Sequence, residues 1–479
     1  VNRAIRRLTG KRLPEEPGVH ELLFLNQQDF IQAHPELRDL WRLYEGYFDS
    51  YVTNVQAGSE HYADAHIKRE LRIKAWNDLI DSGNLHVDGN TWSRNERHTY
   101  KMKPAEILLW NKVPRMIVDL GVEASLRGFR LFEHLKQAQN EKPIYILGGE
   151  FFFCKSPSPA VMKEIFEKLE HPPLRFFYVY FSDDCCISYR QNDGSIVKGN
   201  GDIEKCDGSQ GPSVFELLVH LFPERIRPDV EILVDQCLEP MLIRDNTENS
   251  RLFVLLQPIF AILKSGWGGT TAINNLANLL IGMALIENWG RLVPRESAKL
   301  AGYLFKFQVC DKIQDLQFLK HSPVIDVDGN LQPCLNYGVM LRAQGNCHRD
   351  LPGRGPIRQR ALDFQASIVR GMYPYVSTPI LSNMMRASGD PIYMSLLNLD
   401  FKIVDSEKYT PYRVTTEEFL RRYDLTPFEL YEIETVFSNL TFGDHFASLA
   451  LAKILNKDYG LNCRAVESYN TEHVLPPFM

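Results

Sequence analysis

Asp183 and Asp184 sit at the centre of FFYVYFSDDCCIS, residues 176 to 188, where six apolar or aromatic residues lead into Ser182 and Cys185-Cys186-Ile187 lead out. Adjacent carboxylates resist joint ionisation because each raises the pKa of the other. A metal ion is the usual cation that relieves this. An isolated Asp-Asp pair is ordinarily a solvated turn at the end of a surface hairpin. Here Phe176 to Phe181 put apolar groups on both faces of the incoming strand, so the hairpin is expected to be covered on both sides and its tip to enter a cleft.

A second acidic group follows in Gly201-Asp202-Ile203-Glu204-Lys205-Cys206-Asp207-Gly208-Ser209. The intervening Arg190-Gln191-Asn192-Asp193-Gly194 is a turn signal. It predicts that the strand carrying Asp202 folds back beside the strand carrying Asp183 and Asp184, so that the carboxylates converge. Oxygen ligands of this kind suit Mg²⁺, which is usually held by one or two carboxylates plus substrate phosphates. Two such ions about 3.5 to 4 Å apart support in-line phosphoryl displacement.

Two further segments offer phosphate chemistry. Ser265-Gly266-Trp267-Gly268-Gly269-Thr270-Thr271-Ala272-Ile273-Asn274-Asn275 is a Gly-rich loop opening into an apolar helix, and its backbone N–H groups could meet phosphates. No lysine follows the glycines, so it is not a Walker A loop. Lys101-Met102-Lys103-Pro104 and Asn111-Lys112-Val113-Pro114-Arg115 flank a short apolar run with cations that could meet a triphosphate. Taken singly, the loop is more often a plain connection and the basic segment more often a solvated face.

The elements that must position these residues are of mixed type. Ile144 to about Asp326 alternates β-rich runs with apolar helices: strands at 144–147, 176–188 and 195–206, a helix from about Thr271 to Trp289, then strands at 303–309 and 316–324. Asp64 to Ser82 has a charged helical pattern. Helices are expected at 416–423 and 428–438, begun by Thr415 or Thr416 and by Thr426-Pro427. The fold class is therefore α+β. With 479 residues, 44% hydrophobic, the chain suits two to four subdomains. A net charge of −6 argues against gripping polyanions through bulk charge, so a nucleic-acid site would be a local basic channel. Nine scattered cysteines without a C-x-x-C pair indicate neither a disulfide framework nor a zinc knuckle. The most apolar runs, 252–263 and 276–286, fall short of the roughly 20 residues of a membrane span, and a soluble chain is expected. It opens on Val1 without a charged-then-apolar leader, as would a chain cut from a longer precursor.

Together the four segments resemble the motifs of viral RNA-dependent RNA polymerases. Lys103, Lys112 and Arg115 resemble motif F; Asp202 and Asp207 motif A; Ser265, Gly266, Thr270 and Asn274 motif B; and Ser182-Asp183-Asp184 motif C. Phe305 to Lys312 resembles motif D and Phe318-Leu319-Lys320-His321 motif E. The order C-A-B departs from the usual A-B-C and is similar to the permuted polymerases of permutotetraviruses and birnaviruses. A permuted palm is feasible because the A and C strands are neighbours in the palm sheet, so the turn at 192–194 can join them. Serine replaces the commoner glycine at the first motif C position.

The resemblance implies a right-hand polymerase with an antiparallel palm sheet backed by helices. Residues 1–143 would be fingers, 144–209 palm, 210–264 a fingers insertion, 265–330 palm and 331–479 thumb. It implies Asp183 and Asp202 as principal ligands of two Mg²⁺ ions, with Mn²⁺ an alternative and Asp184 assisting. Arg115, Lys112 and Lys103 would neutralise the triphosphate. Asp207 and Asn274 would read the ribose 2′-hydroxyl, supported by Ser265 and Thr270, while Gly266 admits the template or nascent pair. A lysine would protonate the leaving pyrophosphate, Lys312 first and Lys306 second.

The implied partners are an RNA template, nascent RNA, ribonucleoside triphosphates and other viral replication proteins. The implied location is the host cytoplasm, at membrane-associated replication sites or in the virion. Rival readings are a noncatalytic viral RNA-binding protein, a reverse-transcriptase-like DNA polymerase and, more weakly, a two-metal hydrolase. The first gives no reason for converging aspartates, the second tends to place a bulky aromatic where Asp207 stands, and the third does not call for the motif B pattern.

Overall fold

The computed structural model describes residues 19–49, 97–101, 115–119, 121–244, 253–339, 356, 373–375, 394–396, 402–404 and 412–438. Lys103, Lys112 and the pattern at 64–82 lie outside them. The strands that concern the site are β1 (Arg97–Lys101), β2 (Arg115–Asp119), β3 (Ile144–Ile146), β4 (Gly149–Phe153), β5 (Phe176–Phe181), β6 (Asp184–Arg190), β7 (Ile196–Ile203), β8 (Met241–Arg244), β9 (Phe253–Leu256), β10 (Phe305–Cys310), β11 (His321–Ile325) and β12 (Leu331–Leu335). The helices are α1 (Val19–Ala33), α2 (Gly121–Glu141), α3 (Pro159–Glu170), α4 (Pro212–His220), α5 (Arg227–Asp235), α6 (Thr270–Glu287), α7 (Pro294–Leu300), α8 (Thr416–Tyr423) and α9 (Pro427–Ser438).

A six-stranded sheet in the order β10-β7-β6-β5-β4-β3 makes this a mixed α/β fold. Period-two alternation along β5 explains how both of its faces are buried. Phe176, Tyr178 and Tyr180 enter one core with α6, whereas Phe177 and Val179 enter another with Met162, Ile165, Phe166 and Leu169 of α3. Each fully buried side chain of this size contributes about 1.5 to 3 kcal/mol. The sheet departs from the expected antiparallel arrangement in one pair: β4 and β5 run parallel. The chain between them forms the crossover helix α3, which a parallel pair requires. Ser158 caps α3 by accepting from the Val161 N–H at 3.3 Å, and Pro159 occupies its first turn.

Helix α6 begins one residue before the expected start and ends at Glu287 rather than Trp289. It is buried on all sides from Ala272 to Ile286, which explains its apolar run. The expected strand at 316–324 is instead a tight turn followed by β11, because Leu319 and Lys320 both take left-handed backbone conformations (φ 49 and 63). Thr415 caps α8, accepting from the Glu418 N–H at 3.1 Å, and Thr426 and Glu429 form a reciprocal capping box at α9. The seven described cysteines are buried free thiols. Among the described residues no helix is long and apolar enough to cross a membrane.

At the far end of α6, His34 Nε2 meets Glu287 Oε1 at 2.6 Å and His34 Nδ1 meets the Phe30 carbonyl at 2.8 Å. Burial lowers the His34 pKa, but the two acceptors outweigh it and the net shift is upward. A raised folded pKa gives stability that is complete below the unfolded value of about 6.5 and fades as pH rises through the folded value. Thermal unfolding midpoints should therefore fall above neutral pH, and His34→Gln should flatten that part of the profile. An unchanged slope in the variant would contradict this.

Candidate active site

The site is built on the β5–β6 hairpin. Phe181 pairs with Asp184, so Ser182 and Asp183 form a two-residue loop. Ser182 takes φ 56, a left-handed value that glycine adopts most readily. Because those two residues are spent in the turn, Asp184 is the first paired residue of β6, and its register partner on β7 is Asp202. The carboxylate opposite Asp202 is thus Asp184 rather than Asp183, which sits next to the pair in the loop. Lys306 of β10 is the next residue in the same row, directly opposite Asp202.

Directly opposed residues share a face with Cβ atoms about 4.5 to 5.5 Å apart. Asp184, Asp202 and Lys306 therefore line one face of three adjacent strands. Asp184 is half-buried and Asp202 and Lys306 are exposed. Gly201 fixes the neighbouring face: a Cβ there would fall 2.2 Å from the Phe305 ring and 2.4 Å from Cys185 Sγ, so only glycine lets Phe305 pack across β7. Two opposed carboxylates destabilise the strand pair unless a cation offsets them. Burial pushes the Cys206 thiol up, and the negative charges of Asp183, Asp207 and Asp202 add to that shift. Among the described residues no three His, Cys, Asp or Glu side chains form a ready-made ion cage. The donor set suits a hard divalent ion whose remaining ligands come from water and phosphate, as Mg²⁺ prefers.

One other segment, residues 317–321, fastens this row at two points. The Leu319 N–H donates to Asp184 Oδ2 at 2.8 Å. It belongs to the Phe318–His321 turn, whose ends exchange backbone hydrogen bonds of 2.9 Å. Asn200, two residues before Asp202, accepts the Gln317 N–H at 2.9 Å. Sequence reasoning assigned no carboxylate contact to this turn, because nothing in Phe318 to His321 tells which backbone amide faces β6.

Ser265 donates its hydroxyl to Asp207, joining the Gly-rich loop to the 3₁₀ turn Cys206–Ser209. Gly266 is exposed with φ 108. Trp267 anchors the loop: it is buried and donates to Gln236 Oε1 at 2.9 Å. Thr270 Oγ1 turns to the Trp267 carbonyl at 2.8 Å and so braces the loop from within. Asn274 is only 3% exposed. It donates to Ser182 Oγ at 3.1 Å, while its Oδ1 accepts from Cys206 Sγ and Gln210 Nε2, both at 3.2 Å. In this arrangement Asn274 is a junction between two turns, with Oδ1 already engaged. Arg115 lies in β2, whose Val118 N–H donates to the Ser265 carbonyl at 2.7 Å. The strand of the basic segment therefore meets the Gly-rich loop.

Lys312 stands apart from this group. It follows Cys310, whose register partner is Lys198. Lys198 lies four positions before Asp202, about 14 Å along the strand at about 3.4 Å per residue. Of the two lysines, Lys306 is the one that strand register puts beside Asp202. Lys306→Ala should lower turnover about a hundredfold, the scale of a lost general acid, whereas Lys312→Ala should leave it within about twofold. Single-turnover kinetics would decide, and equal losses in both variants would contradict the placement.

Sequence reasoning also missed Gln27, Asn275 and Asn278. Gln27 of α1 is fully buried behind the 3₁₀ turn, donating to the Ser209 carbonyl at 2.6 Å and accepting the Gly211 N–H at 2.9 Å. Asn275 and Asn278 hold Ser182 from α6. Their signal was legible as amides in an otherwise apolar helix, since buried polar groups need partners.

No protein-family profile matches this chain, and no curated protein matches it. Similar solved structures include a birnavirus VP1–VP3 complex, at 13% identity over 85% of this chain and 67% of that one, with a TM-score of 0.46. The RNA polymerase VP1 from Infectious Pancreatic Necrosis Virus is also similar, at 13% identity over 84% of this chain and 66% of that one, with a TM-score of 0.39. The chain thus spans about two thirds of the length of either structure.

Proposed function

We propose that this protein is an RNA-directed RNA polymerase with a permuted palm, joining ribonucleotides on a viral RNA template by two-ion nucleotidyl transfer. The observation that carries the reading is the cross-strand pair of Asp184 and Asp202, with Asp183 in the adjoining loop. In this reading residues 144–209 and 265–330 are palm, 1–143 and 210–264 fingers, and 331–479 thumb. Asp183, Asp184 and Asp202 hold Mg²⁺ or Mn²⁺, which when bound neutralises charge on the triphosphate and on the attacking oxygen. The Leu319 amide fixes the Asp184 carboxylate in orientation, and the Ser265–Asp207 pair meets the ribose 2′-hydroxyl. Arg115, with Lys103 and Lys112, binds the triphosphate, Arg through its planar fork of donors. The 3′-hydroxyl of the nascent strand gives its proton to solvent as its oxygen bonds to the α-phosphorus, the bond to pyrophosphate breaks, and Lys306 donates a proton to that leaving group.

Partners in this reading are the template, nascent RNA, ribonucleoside triphosphates and other viral replication proteins, and the site of action is the host cytoplasm or the virion. Incubation of the purified protein with an RNA template, ribonucleotides and Mg²⁺ tests it. Template-dependent extension that EDTA stops is expected. Absence of incorporation with Mg²⁺ and with Mn²⁺, or incorporation of deoxynucleotides alone, would overturn it.

A further inference from the structure

Ser182 carries an L side chain in the left-handed region, at the loop position where glycine has no Cβ penalty. All three of its polar groups are taken by one helix. The Ser182 N–H donates to Asn275 Oδ1 at 2.8 Å, its carbonyl accepts from Asn278 Nδ2, and its hydroxyl accepts from Asn274 Nδ2 at 3.1 Å. The spacing of 274, 275 and 278 places these amides on one face of α6. Asn275 and Asn278 are at most 1% exposed.

Each of those two amides also has an end on a fixed support. Asn275 Nδ2 donates to Gln139 Oε1 of α2 at 3.3 Å, and Asn278 Oδ1 accepts from the Tyr178 hydroxyl of β5 at 3.0 Å. Gln139 and Tyr178 are themselves buried. The backbone at Ser182 is thus held by amides braced against two different elements. Its φ determines where the next two residues, Asp183 and Asp184, direct their carboxylates.

We propose that Asn275 and Asn278 are positioning residues: they hold Ser182 left-handed and thereby aim Asp183 and Asp184 at the divalent ions. The proposal rests on the ion-binding part of the function proposed above. It also accounts for serine at this loop position, since the backbone clamp offsets a conformation that glycine would take unaided. A purely structural role, satisfying buried amides in an apolar helix, makes a different prediction. It gives no reason for a change at Ser182 to compensate for a lost asparagine.

The test compares wild type, Asn275→Ala, Asn278→Ala, Ser182→Gly and the two doubles containing Ser182→Gly. The readouts are Mn²⁺ binding by EPR with a ribonucleoside triphosphate present, nucleotide incorporation, and thermal unfolding as a check on folding. The single asparagine variants should raise half-saturating Mn²⁺ about tenfold, and Ser182→Gly should return the doubles to within about threefold of Ser182→Gly alone, a coupling only contacting residues show. Ser182→Gly alone, which removes the hydroxyl that Asn274 donates to, is the reference against which each double is read.

Unchanged Mn²⁺ binding in both singles, or equal losses with and without Ser182→Gly, would overturn the proposal, as would a wild type that binds no Mn²⁺. If Asn278→Ala does not fold, Asn278→Ser and Asn275→Ala carry the same comparison. The expected Mn²⁺ pattern in a protein that incorporates no nucleotide would leave the clamp standing and remove the polymerase reading. Incorporation with Mn²⁺ binding indifferent to both asparagines would do the reverse.

Discussion

Asp202→Asn should reduce nucleotide incorporation at least about a thousandfold, roughly 4 kcal/mol of transition-state stabilisation, while the thermal unfolding midpoint stays level. The two effects have one cause. Asp202 is exposed, with Asp184 directly opposite on one side and Lys306 directly opposite on the other, so in the protein alone repulsion from one neighbour is set against attraction to the other. Cross-strand charge pairs of this kind are worth about 0.2 to 1 kcal/mol each, and asparagine keeps the shape while removing both the repulsion from Asp184 and the attraction to Lys306. In the proposed reading the same carboxylate would be a ligand once ions and triphosphate are bound, and its loss would remove several kcal/mol of charge stabilisation. A residue kept only for structure would lose stability on substitution, not activity alone. Paired incorporation assays and unfolding curves measure both. Retained activity, or a midpoint that falls with the activity, would contradict the assignment.

Asp207→Ala should lower the preference for ribo- over deoxyribonucleotides, as a ratio of kcat/KM, by at least about a hundredfold. Asp207 accepts the Ser265 hydroxyl, and the pair stands between the 3₁₀ turn after β7 and the Gly-rich loop before α6. A polar site of this kind rejects a substrate lacking a hydroxyl because its own groups are left unpaired. Removing the carboxylate removes that penalty, so the change should come from faster use of deoxyribonucleotides together with slower use of ribonucleotides. Asn274 shares the task less directly, since its Oδ1 is engaged by Cys206 and Gln210. Ser265→Ala should give a smaller change, because Asp207 remains. Competition between ATP and dATP on one template would measure the ratio, and an unaltered ratio in Asp207→Ala would place the sugar check elsewhere.

The sheet's centre was legible because its strands follow the simplest rules. Phe176 to Phe181 alternates between two buried faces, and the turn residues at 191–194 return the chain antiparallel to itself. The apolar run of α6 was legible for the same reason, since a helix buried all round needs no amphipathic stripe. Register was not. Whether Asp183 or Asp184 faces Asp202 depends on how many residues the hairpin loop consumes, and a single-residue change moves every side chain to the other face. The same arithmetic on β10 puts Lys306, and not Lys312, beside Asp202. The parallel pairing of β4 with β5 could not be read because Ile144 to Leu147 was recognised without its partner Gly149–Phe153. The contact from Leu319 to Asp184 is a hydrogen bond from a backbone N–H to a side-chain carboxylate across 135 positions, and the donor's side chain does not encode it.

Crystals of the protein soaked with Mn²⁺ and a ribonucleoside triphosphate, with anomalous scattering used to locate the metal, test the central claim most directly. The account predicts manganese within coordination distance of Asp202 and of Asp183 or Asp184, bridged to the triphosphate. Manganese bound only at other side chains, with Asp184 and Asp202 contacting neither metal nor nucleotide, would contradict it.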